Sequence, residues 1–336
     1  MKEQVVESTI AKEDLTFEVP LRPQTLDDFI GQEEVKERLH VLIAAAKMRG
    51  DPLGHCLLSG PPGLGKTTLA GIIAKTMASS LVISSGPALE KAADLAGILT
   101  NLQEGDLFFI DEIHRIPRQV EEYLYQAMED FSLDIMIDSG PSARSVQVKL
   151  NKFTLLGATT RAGLLTAPMR SRFAFHSRLN YYPTQQLQKI LKRTSSILNL
   201  KIDEPGLEEI AKRARGTPRI ANNLLKWVRD FAEVRAAKVA DQKVVNNALG
   251  MLSIDDKGLD EMDKKILDVI IDHYDGGPVG LNTIAIAIGE EGHTIEEVYE
   301  PFLILQGFIK RTPRGRVATS LAYSHLGKKE KELNLF

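Results

Sequence analysis

A glycine-rich segment, GPPGLGKT at residues 60–67, constrains this chain more than any other feature of its sequence. An apolar run precedes it at His55–Ser59, and residues with helical spacing follow at Lys66–Ala78. The glycines allow the backbone to bend so that successive N–H groups point at one phosphate, and the positive end of the helix dipole adds to the attraction. A glycine-rich turn without a ligand is the alternative, but the strand before the segment and the helix after it indicate a phosphate-binding loop.

The polar residues of this loop have separate expected partners. Lys66 is expected to reach the β- and γ-phosphates of ATP, Thr67 to offer its hydroxyl to Mg²⁺, and Thr68 to bond an α-phosphate oxygen. The sequence therefore predicts ATP and Mg²⁺ as cofactors. The candidate ligands in the loop are Gly60, Gly63, Gly65, Lys66, Thr67 and Thr68.

A second apolar run, Leu107–Ile110, ends in two carboxylates, Asp111 and Glu112. We expect Asp111 to hold Mg²⁺ through its water shell, and Glu112 to orient and polarise the attacking water. Acidic pairs at strand ends are common, so this assignment depends on the phosphate loop that precedes it. His114 follows closely, and we interpret it as a packed or exposed residue because the carboxylates already fill the catalytic roles.

The chain divides into four predicted segments, and its fold class is α/β. Residues 1–17 are a polar, flexible N-terminal segment, and residues 18–182 alternate apolar runs with helical stretches, as in a doubly wound parallel sheet. Residues 183–254 form a small helical lid domain, and residues 255–336 contain three helices and a hairpin, which indicate a winged-helix domain. The predicted strands of the sheet are His55–Ser59, Leu81–Ser84, Leu107–Ile110 and Phe153–Gly157.

The charge of the chain limits how it can bind nucleic acid. A formal net charge of -3 excludes a chain-wide basic field, so a contact with DNA has to come from a local patch. The predicted third helix of the winged domain, Thr294–Gln306, carries three glutamates and is a poor reader of the major groove. We therefore expect the wing to bind the DNA backbone, with Arg311 and Arg316 as its leading contacts; a solvated basic face is the alternative. The basic residues of the wing are Lys310, Arg311, Arg314 and Arg316.

The only cysteine, Cys56, cannot form an internal disulfide, and its apolar surroundings favour a buried strand thiol. That favours a reducing compartment, and we expect a cytoplasmic protein. No apolar stretch reaches the roughly 18 residues of a membrane span. The polar N-terminus does not resemble a signal peptide.

Several motifs occur in a specific order: LRPQTLDDFIGQ, SGPPGLGKTTLA, LFFIDEIHR, LLGATTRAG, APMRSRF, RGTPRIANNLL, GGPVGLNTIA and RTPRGR. With this set, residues 18 to 330 resemble the AAA+ superfamily and, within it, the RuvB family. The resemblance implies a homo-hexameric ATP-driven ring that encircles duplex DNA and drives branch migration of four-way (Holliday) junctions. It also implies RuvA as the junction-binding partner and RuvC resolvase in the same complex.

The same resemblance assigns further residues to the ATP site. Thr160 corresponds to the polar sensor of the γ-phosphate, although many relatives carry asparagine there. Arg172 is chosen over Arg170 as the arginine finger that acts on a neighbouring subunit, and Ala174 stands where the family has glycine. Arg219 corresponds to the second sensor.

Three other contacts follow from the resemblance. The adenine base is expected between the Leu21-Arg22 segment and Tyr182, although Tyr182 can also be explained as hinge packing. An inserted hairpin within Phe131–Leu150 is expected to dock on RuvA through Ile135 and Ile137; packing against this chain's own sheet is the alternative. At the base of the hairpin, a further contact with an adjacent subunit's nucleotide is expected from Glu129, Asp130 and Phe131.

Two other classes of protein share parts of this pattern. A nucleotide-switched transcription or replication regulator would bind specific DNA sequences, which the acidic third helix disfavours. A protein-remodelling unfoldase would pull peptide with an aromatic pore loop and would have no need of a basic wing.

Overall fold

The computed structural model describes residues 21–136 and 145–330, which form two compact units. In the described part of the chain, the first unit comprises the residues up to Leu198 together with Thr217–Arg219, and the second comprises the remainder. The domain boundaries expected after residues 182 and 254 lie inside these units and stay predictions. No helix in residues 21–136 or 145–330 is long and apolar enough to cross a membrane.

A parallel five-stranded sheet forms the centre of the first unit. Its strands are β1 (Cys56–Ser59), β2 (Leu81–Ser85), β3 (Leu107–Asp111), β6 (Thr154–Thr159) and β7 (Phe175–Arg178). The strand order is β2-β3-β6-β1-β7. This confirms the predicted α/β fold, in which apolar strands buried on both faces read as continuous hydrophobic runs. The carboxyl ends of β1, β3 and β6 meet at one edge, where the chemistry-bearing residues follow.

Six α-helices accompany this sheet within the described residues. Their apolar residues bury a continuous core, in which Leu95, Leu124 and Phe108 are 0% exposed. Thr166 starts one helix by accepting the N–H of Met169 at its N-cap, which satisfies an otherwise unpaired donor. The helices are α1 (Glu33–Arg49), α2 (Lys66–Met77), α3 (Ala92–Leu99), α4 (Arg118–Asp130), α5 (Ala167–Arg172) and α6 (Thr184–Ile197).

The predicted inserted hairpin is present as β4 (Ser132–Met136) paired antiparallel with β5 (Ser145–Lys149). Leu133 is fully buried in the core of the first unit, whereas Val146 is 46% exposed. The hairpin thus packs against its own unit at the base and presents an apolar side chain further out. Ile135 pairs in register with Val146, and Ile137 lies outside the described residues.

The second unit begins with a helical region. Asp203 and Asp241 each cap a helix by accepting a backbone N–H with the side chain. The helices are α7 (Glu204–Arg213), α8 (Pro218–Arg235), whose first two residues belong to the first unit, and α9 (Gln242–Met251). The region also contains two short strands that pair in parallel, β8 (Lys201–Ile202) and β9 (Val239–Ala240).

The rest of the second unit has the predicted winged-helix fold, with a core that includes Ile270, Leu303 and Phe308. Its third helical stretch contains a π-helical turn at Ile295–Tyr299, just before Pro301, which has no N–H to donate to the preceding turn. The elements are α10 (Glu261–Asp268), α11 (Leu281–Ile288), α12 (Gly292–Thr294), α13 (Glu300–Leu305), β10 (Ile309–Thr312), β11 (Gly315–Ala318) and α14 (Ser320–His325).

Candidate functional site

The phosphate loop has a backbone that only glycine accommodates. Gly60 has a φ of +133°, and a Cβ atom on it would lie 2.4 Å from the carbonyl oxygen of Leu179. Gly63 has a φ of +75°, and a Cβ atom there would lie 2.7 Å from the Cγ2 atom of Thr217. Other residues at these positions would strain the backbone and displace its neighbours. The loop therefore has the close, curved path expected of a phosphate cradle.

Lys66 begins α2 and is buried, with 6% of its surface exposed. Its ammonium donates to the carbonyl oxygens of Gly60 at 2.8 Å and Pro61 at 2.9 Å. Burial lowers the pKa of Lys66, while the nearby charges of Asp111 and Glu112 act in the opposite direction. A buried cation whose hydrogen bonds go to neutral carbonyls retains charge for an anionic ligand, which fits the phosphates of a nucleotide.

The two predicted carboxylates lie at the end of β3, on the same edge of the sheet. Burial raises the pKa of Asp111, and the negative charge of Glu112 raises it further. A desolvated acid beside a second carboxylate favours a bound cation, which fits a divalent metal ion. Thr67 is the second residue of α2 and is half-buried.

Glu112 is fixed against the end of the neighbouring strand β6. Its Oε2 atom accepts the backbone N–H of Thr160 at 3.2 Å and the hydroxyl of Thr160 at 3.0 Å. The predicted base and the predicted γ-phosphate sensor are thus in direct contact.

His114 has a position that sequence reasoning missed. Its side chain is 7% exposed, and its Nδ1 atom lies 3.1 Å from Oε2 of Glu112. The same nitrogen lies 2.9 Å from Oγ1 of Thr159. Nothing in the DEIH spacing indicates this contact with Thr159, because it requires β6 to pair with β3.

Arg219 meets the phosphate loop within the first unit. Its backbone N–H donates to the carbonyl oxygen of Gly63 at 3.4 Å. Burial is the main cause of the pKa shifts of Lys66, which is lowered, and of Asp111, which is raised. The positive charge of Arg219 acts to lower both pKa values. The structure thus brings the predicted second sensor to the loop.

Arg172 is held by its own chain. Its Nη2 atom lies 3.0 Å from Oε2 of Glu129, and its guanidinium carbon lies 4.5 Å from the centre of the Tyr125 ring. The Nε atom of Arg172 is buried and, in the described part of the chain, has no hydrogen-bond partner. Arg170, the alternative finger, is exposed. The predicted finger and the predicted intersubunit residue Glu129 therefore form one cluster, whereas Asp130 is exposed nearby and Phe131 packs edge-on against Phe153.

The expected base-binding residues are close to the loop. Tyr182 is buried and donates its hydroxyl to the carbonyl oxygen of Leu64 at 3.4 Å, and burial raises its pKa. Leu21 is buried, and its carbonyl oxygen accepts a bond from Arg193. Arg22 is half-buried beside it.

Cys56 is buried in β1, and burial raises the pKa of its thiol to about 12, which excludes a nucleophilic thiolate near neutral pH.

The wing differs from expectation at Arg316. Its side chain is buried, and it donates to Oε2 of Glu300 from Nε at 3.1 Å and from Nη2 at 2.6 Å. Arg311 is exposed but donates to Glu296 at 2.9 Å. The two arginines are opposite each other across the hairpin, so both face the acidic helical stretch. The expectation that Arg316 leads the DNA contact is corrected: its guanidinium is used inside the domain, whereas Lys310 and Arg314 are exposed.

Three family models match consecutive parts of the chain. They are described as the Holliday junction DNA helicase RuvB P-loop domain over residues 21–179, the RuvB AAA lid domain over 182–255, and the RuvB C-terminal winged helix domain over 256–327. The matched P-loop domain identifies residues 21–179 as a nucleotide-binding domain.

Curated relatives and solved structures agree with these models. The chain is 67% identical over 326 residues to the Holliday junction branch migration complex subunit RuvB of Protochlamydia amoebophila, covering 97% of this chain and 98% of that one. It is 58% identical to the protein of the same name from Chlamydia pneumoniae, covering 96% of each. The solved structure of the Thermotoga maritima RuvB Holliday junction branch migration motor is 51% identical, with a TM-score of 0.84, over 92% of this chain and 99% of that one. The P-loop, lid and winged-helix parts all match in order, and the chain belongs to the RuvB family.

Proposed function

We propose that this chain is the ATP-hydrolysing subunit of a homo-hexameric ring that moves duplex DNA and thereby drives branch migration of four-way junctions in recombination and repair. The observation that carries the proposal is the buried ammonium of Lys66, bonded to neutral carbonyls beside Asp111 and Glu112. Such a site favours a polyphosphate with a divalent cation.

Each residue around the nucleotide site has a role in ATP binding or hydrolysis. Lys66 and the loop N–H groups bind the phosphates, and Arg219 adds positive charge at the γ-phosphate. Thr67 and Asp111 would hold Mg²⁺, which supplies neutralisation of phosphate charge when bound. Glu112 accepts the proton of the attacking water, while Thr160 holds the carboxylate and senses the γ-phosphate. Leu21, Arg22 and Tyr182 enclose the base.

Hydrolysis requires a second subunit in this proposal. Arg172 reaches the nucleotide of its neighbour and stabilises the transition state, after leaving Glu129. Glu129, Asp130 and Phe131 line the same interface. A subunit by itself would therefore bind ATP but turn it over slowly.

The partners contact two other surfaces. The β4–β5 hairpin, with Ile135 and Ile137, docks on RuvA, and the 46% exposure of Val146 in the same hairpin supports an apolar contact. The DNA phosphate backbone is bound by the wing residues Lys310, Arg311 and Arg314, which make no sequence-specific base contacts. RuvC joins the same complex at the junction, and the assembly works in the cytoplasm.

The test is ATP-dependent separation of a synthetic four-way junction into two duplexes, with RuvA present and absent. The parent chain should release both duplexes only with ATP and Mg²⁺, and the Lys66→Ala variant should release neither. A linear duplex of the same sequence is the control for nonspecific unwinding. If ATP turnover responded to an unfolded protein client and not to DNA, the unfoldase class would replace the motor; binding confined to one DNA sequence would indicate a regulator.

A further inference from the structure

His114 shares one oxygen of Glu112 with Thr160. The Oε2 atom of Glu112 has three neighbours at hydrogen-bond distance: the Thr160 N–H at 3.2 Å, the Thr160 hydroxyl at 3.0 Å and Nδ1 of His114 at 3.1 Å. The imidazole is almost fully buried, so water does not easily replace it at this position.

The chemistry of the neighbours determines where the proton of the imidazole lies. An ionised carboxylate only accepts hydrogen bonds, so Nδ1 has to carry a hydrogen for its contact with Glu112 to be attractive. The Oγ1 atom of Thr159 already accepts the backbone N–H of Arg161 at 3.0 Å, and a second lone pair remains for the His114 N–H. All contacts are consistent with an Nδ1–H that points between Glu112 and Thr159.

The backbone around Glu112 is fixed independently of this contact. Glu112 has a φ of +46°, an unusual value for a residue with a side chain. Its carbonyl oxygen accepts the N–H of Arg115 at 2.9 Å, and it approaches Gly86 so closely that a Cβ atom there would lie 2.3 Å away. The main chain is therefore held in place, and only the side-chain torsions of Glu112 remain to be fixed.

We propose that His114 is a positioning residue for ATP hydrolysis, which together with Thr160 fixes the Glu112 carboxylate in the orientation that activates water. This inference rests on the proposed role of Glu112 as the base. His114 does not touch the nucleotide in this proposal; it acts through Glu112. Thr159 in turn orients the imidazole.

The test compares two substitutions of His114. Asparagine places an amide N–H at the same number of bonds from the main chain as Nδ1, so His114→Asn should keep the bond to Glu112. His114→Leu has a similar volume and no donor. We expect His114→Leu to lower kcat by about 10-fold to 100-fold, the effect of losing one hydrogen bond to a charged group. His114→Asn should stay within about threefold of the parent, and KM for ATP should change little in either variant.

Three readouts separate positioning from packing. The affinity for a fluorescent ATP analogue and the thermal midpoint should be alike in both variants. In a Glu112→Gln background, the leucine substitution should cause no further loss of turnover, because the group it positions is already disabled. If His114→Leu does not fold, His114→Ala takes its place in both comparisons.

The outcomes distinguish this inference from the proposed function. If Glu112→Gln turned over like the parent, the proposed base would be wrong. If Glu112→Gln were inactive while His114→Leu and His114→Ala kept parental kcat, the positioning role alone would be overturned. The role would also be overturned if asparagine failed to rescue turnover at an unchanged thermal midpoint, or if the losses were additive in the Glu112→Gln background.

Discussion

Lys66 in the phosphate loop and Arg316 in the wing are both cations that the sequence suggests for binding phosphate, and both are buried, with 6% and 8% exposure. Their partners differ. Lys66 donates to two neutral carbonyl oxygens, whereas Arg316 donates twice to the carboxylate of Glu300. The charge of Lys66 is therefore left for a ligand, and that of Arg316 is neutralised within the fold.

The comparison teaches that residue type and local charge do not identify a phosphate contact by themselves. A buried cation with neutral acceptors carries a desolvation penalty that an incoming anion can relieve. A buried cation that donates two N–H groups to one carboxylate oxygen stabilises the packing of the elements that supply the two groups. Lys66 should accordingly matter for chemistry, and Arg316 for stability.

The largest expected effect is at Lys66. Lys66→Ala should reduce ATP turnover by about 10³-fold or more, because the transferred phosphate loses its main contact with the loop. The thermal midpoint should change less than in Arg316→Ala, since the hydrogen bonds of Lys66 go to two carbonyl oxygens and not to a carboxylate. Steady-state ATPase assays and melting curves measure both quantities. Lys75→Ala, an exposed lysine of the same helix, is the control, and equal turnover in the two variants would contradict the assignment.

Arg172 is a third case, a cation whose carboxylate partner is partly exposed. Glu129 is 56% exposed, so water can solvate its carboxylate when Arg172 leaves it. Arg172→Ala should lower turnover by roughly 10³-fold while ATP still binds. Mixed with inactive Lys66→Ala subunits, it should recover part of the activity, because some interfaces would then combine an intact loop with an intact arginine. Mixed rings that stay inactive would argue against action between subunits. Arg170→Ala, mixed in the same way, determines which of the two arginines is the finger.

Arg316 should affect stability more than DNA binding. Arg316→Ala leaves the buried carboxylate of Glu300 with only the long ion pair to Arg311, at 3.9 Å, which should cost about 3–5 kcal/mol of unfolding free energy. The double variant Arg316→Met with Glu300→Leu should lose far less, because it removes both charges. Denaturant unfolding gives the free energy of unfolding of the parent, the single variant and the double variant. Arg314→Ala, at an exposed position, is the control and should lie within about 0.5 kcal/mol of the parent. Equal losses in the single and double variants would show that the ion pair is not the cause.

The smallest expected effect concerns the exposed wing residues. Lys310→Ala and Arg314→Ala should each weaken duplex binding by similar factors on unrelated sequences, and each should reduce the salt slope of log K by about 0.9. Basal ATP turnover should be unchanged. Binding isotherms on two unrelated duplexes at several salt concentrations provide the measurement. A loss confined to one duplex would indicate base reading.

Most of the nucleotide site could be predicted because its determinants are local. The positions of Gly60 and Gly63 follow from a tight turn between a strand and a helix, and Asp111 follows directly from an apolar strand. The contact of Thr160 with Glu112 was not among the predictions, because it requires β6 to pair with β3. The resemblance to the RuvB family supplied the place of Arg219, which no local pattern indicates.

The sequence by itself determined the phosphate loop, the acidic strand end and the three kinds of fold in the chain, because each depends on residue spacing over one or two elements. Only the tertiary structure decided that Arg316 turns inward onto Glu300 and that Nδ1 of His114 lies 3.1 Å from the Glu112 carboxylate. The contact of Arg316 depends on the register of the β10–β11 pair, and a shift of one residue would direct its side chain to the opposite face. The contact of His114 depends on the unusual backbone of Glu112 and on Thr159 of β6, which lies against the imidazole.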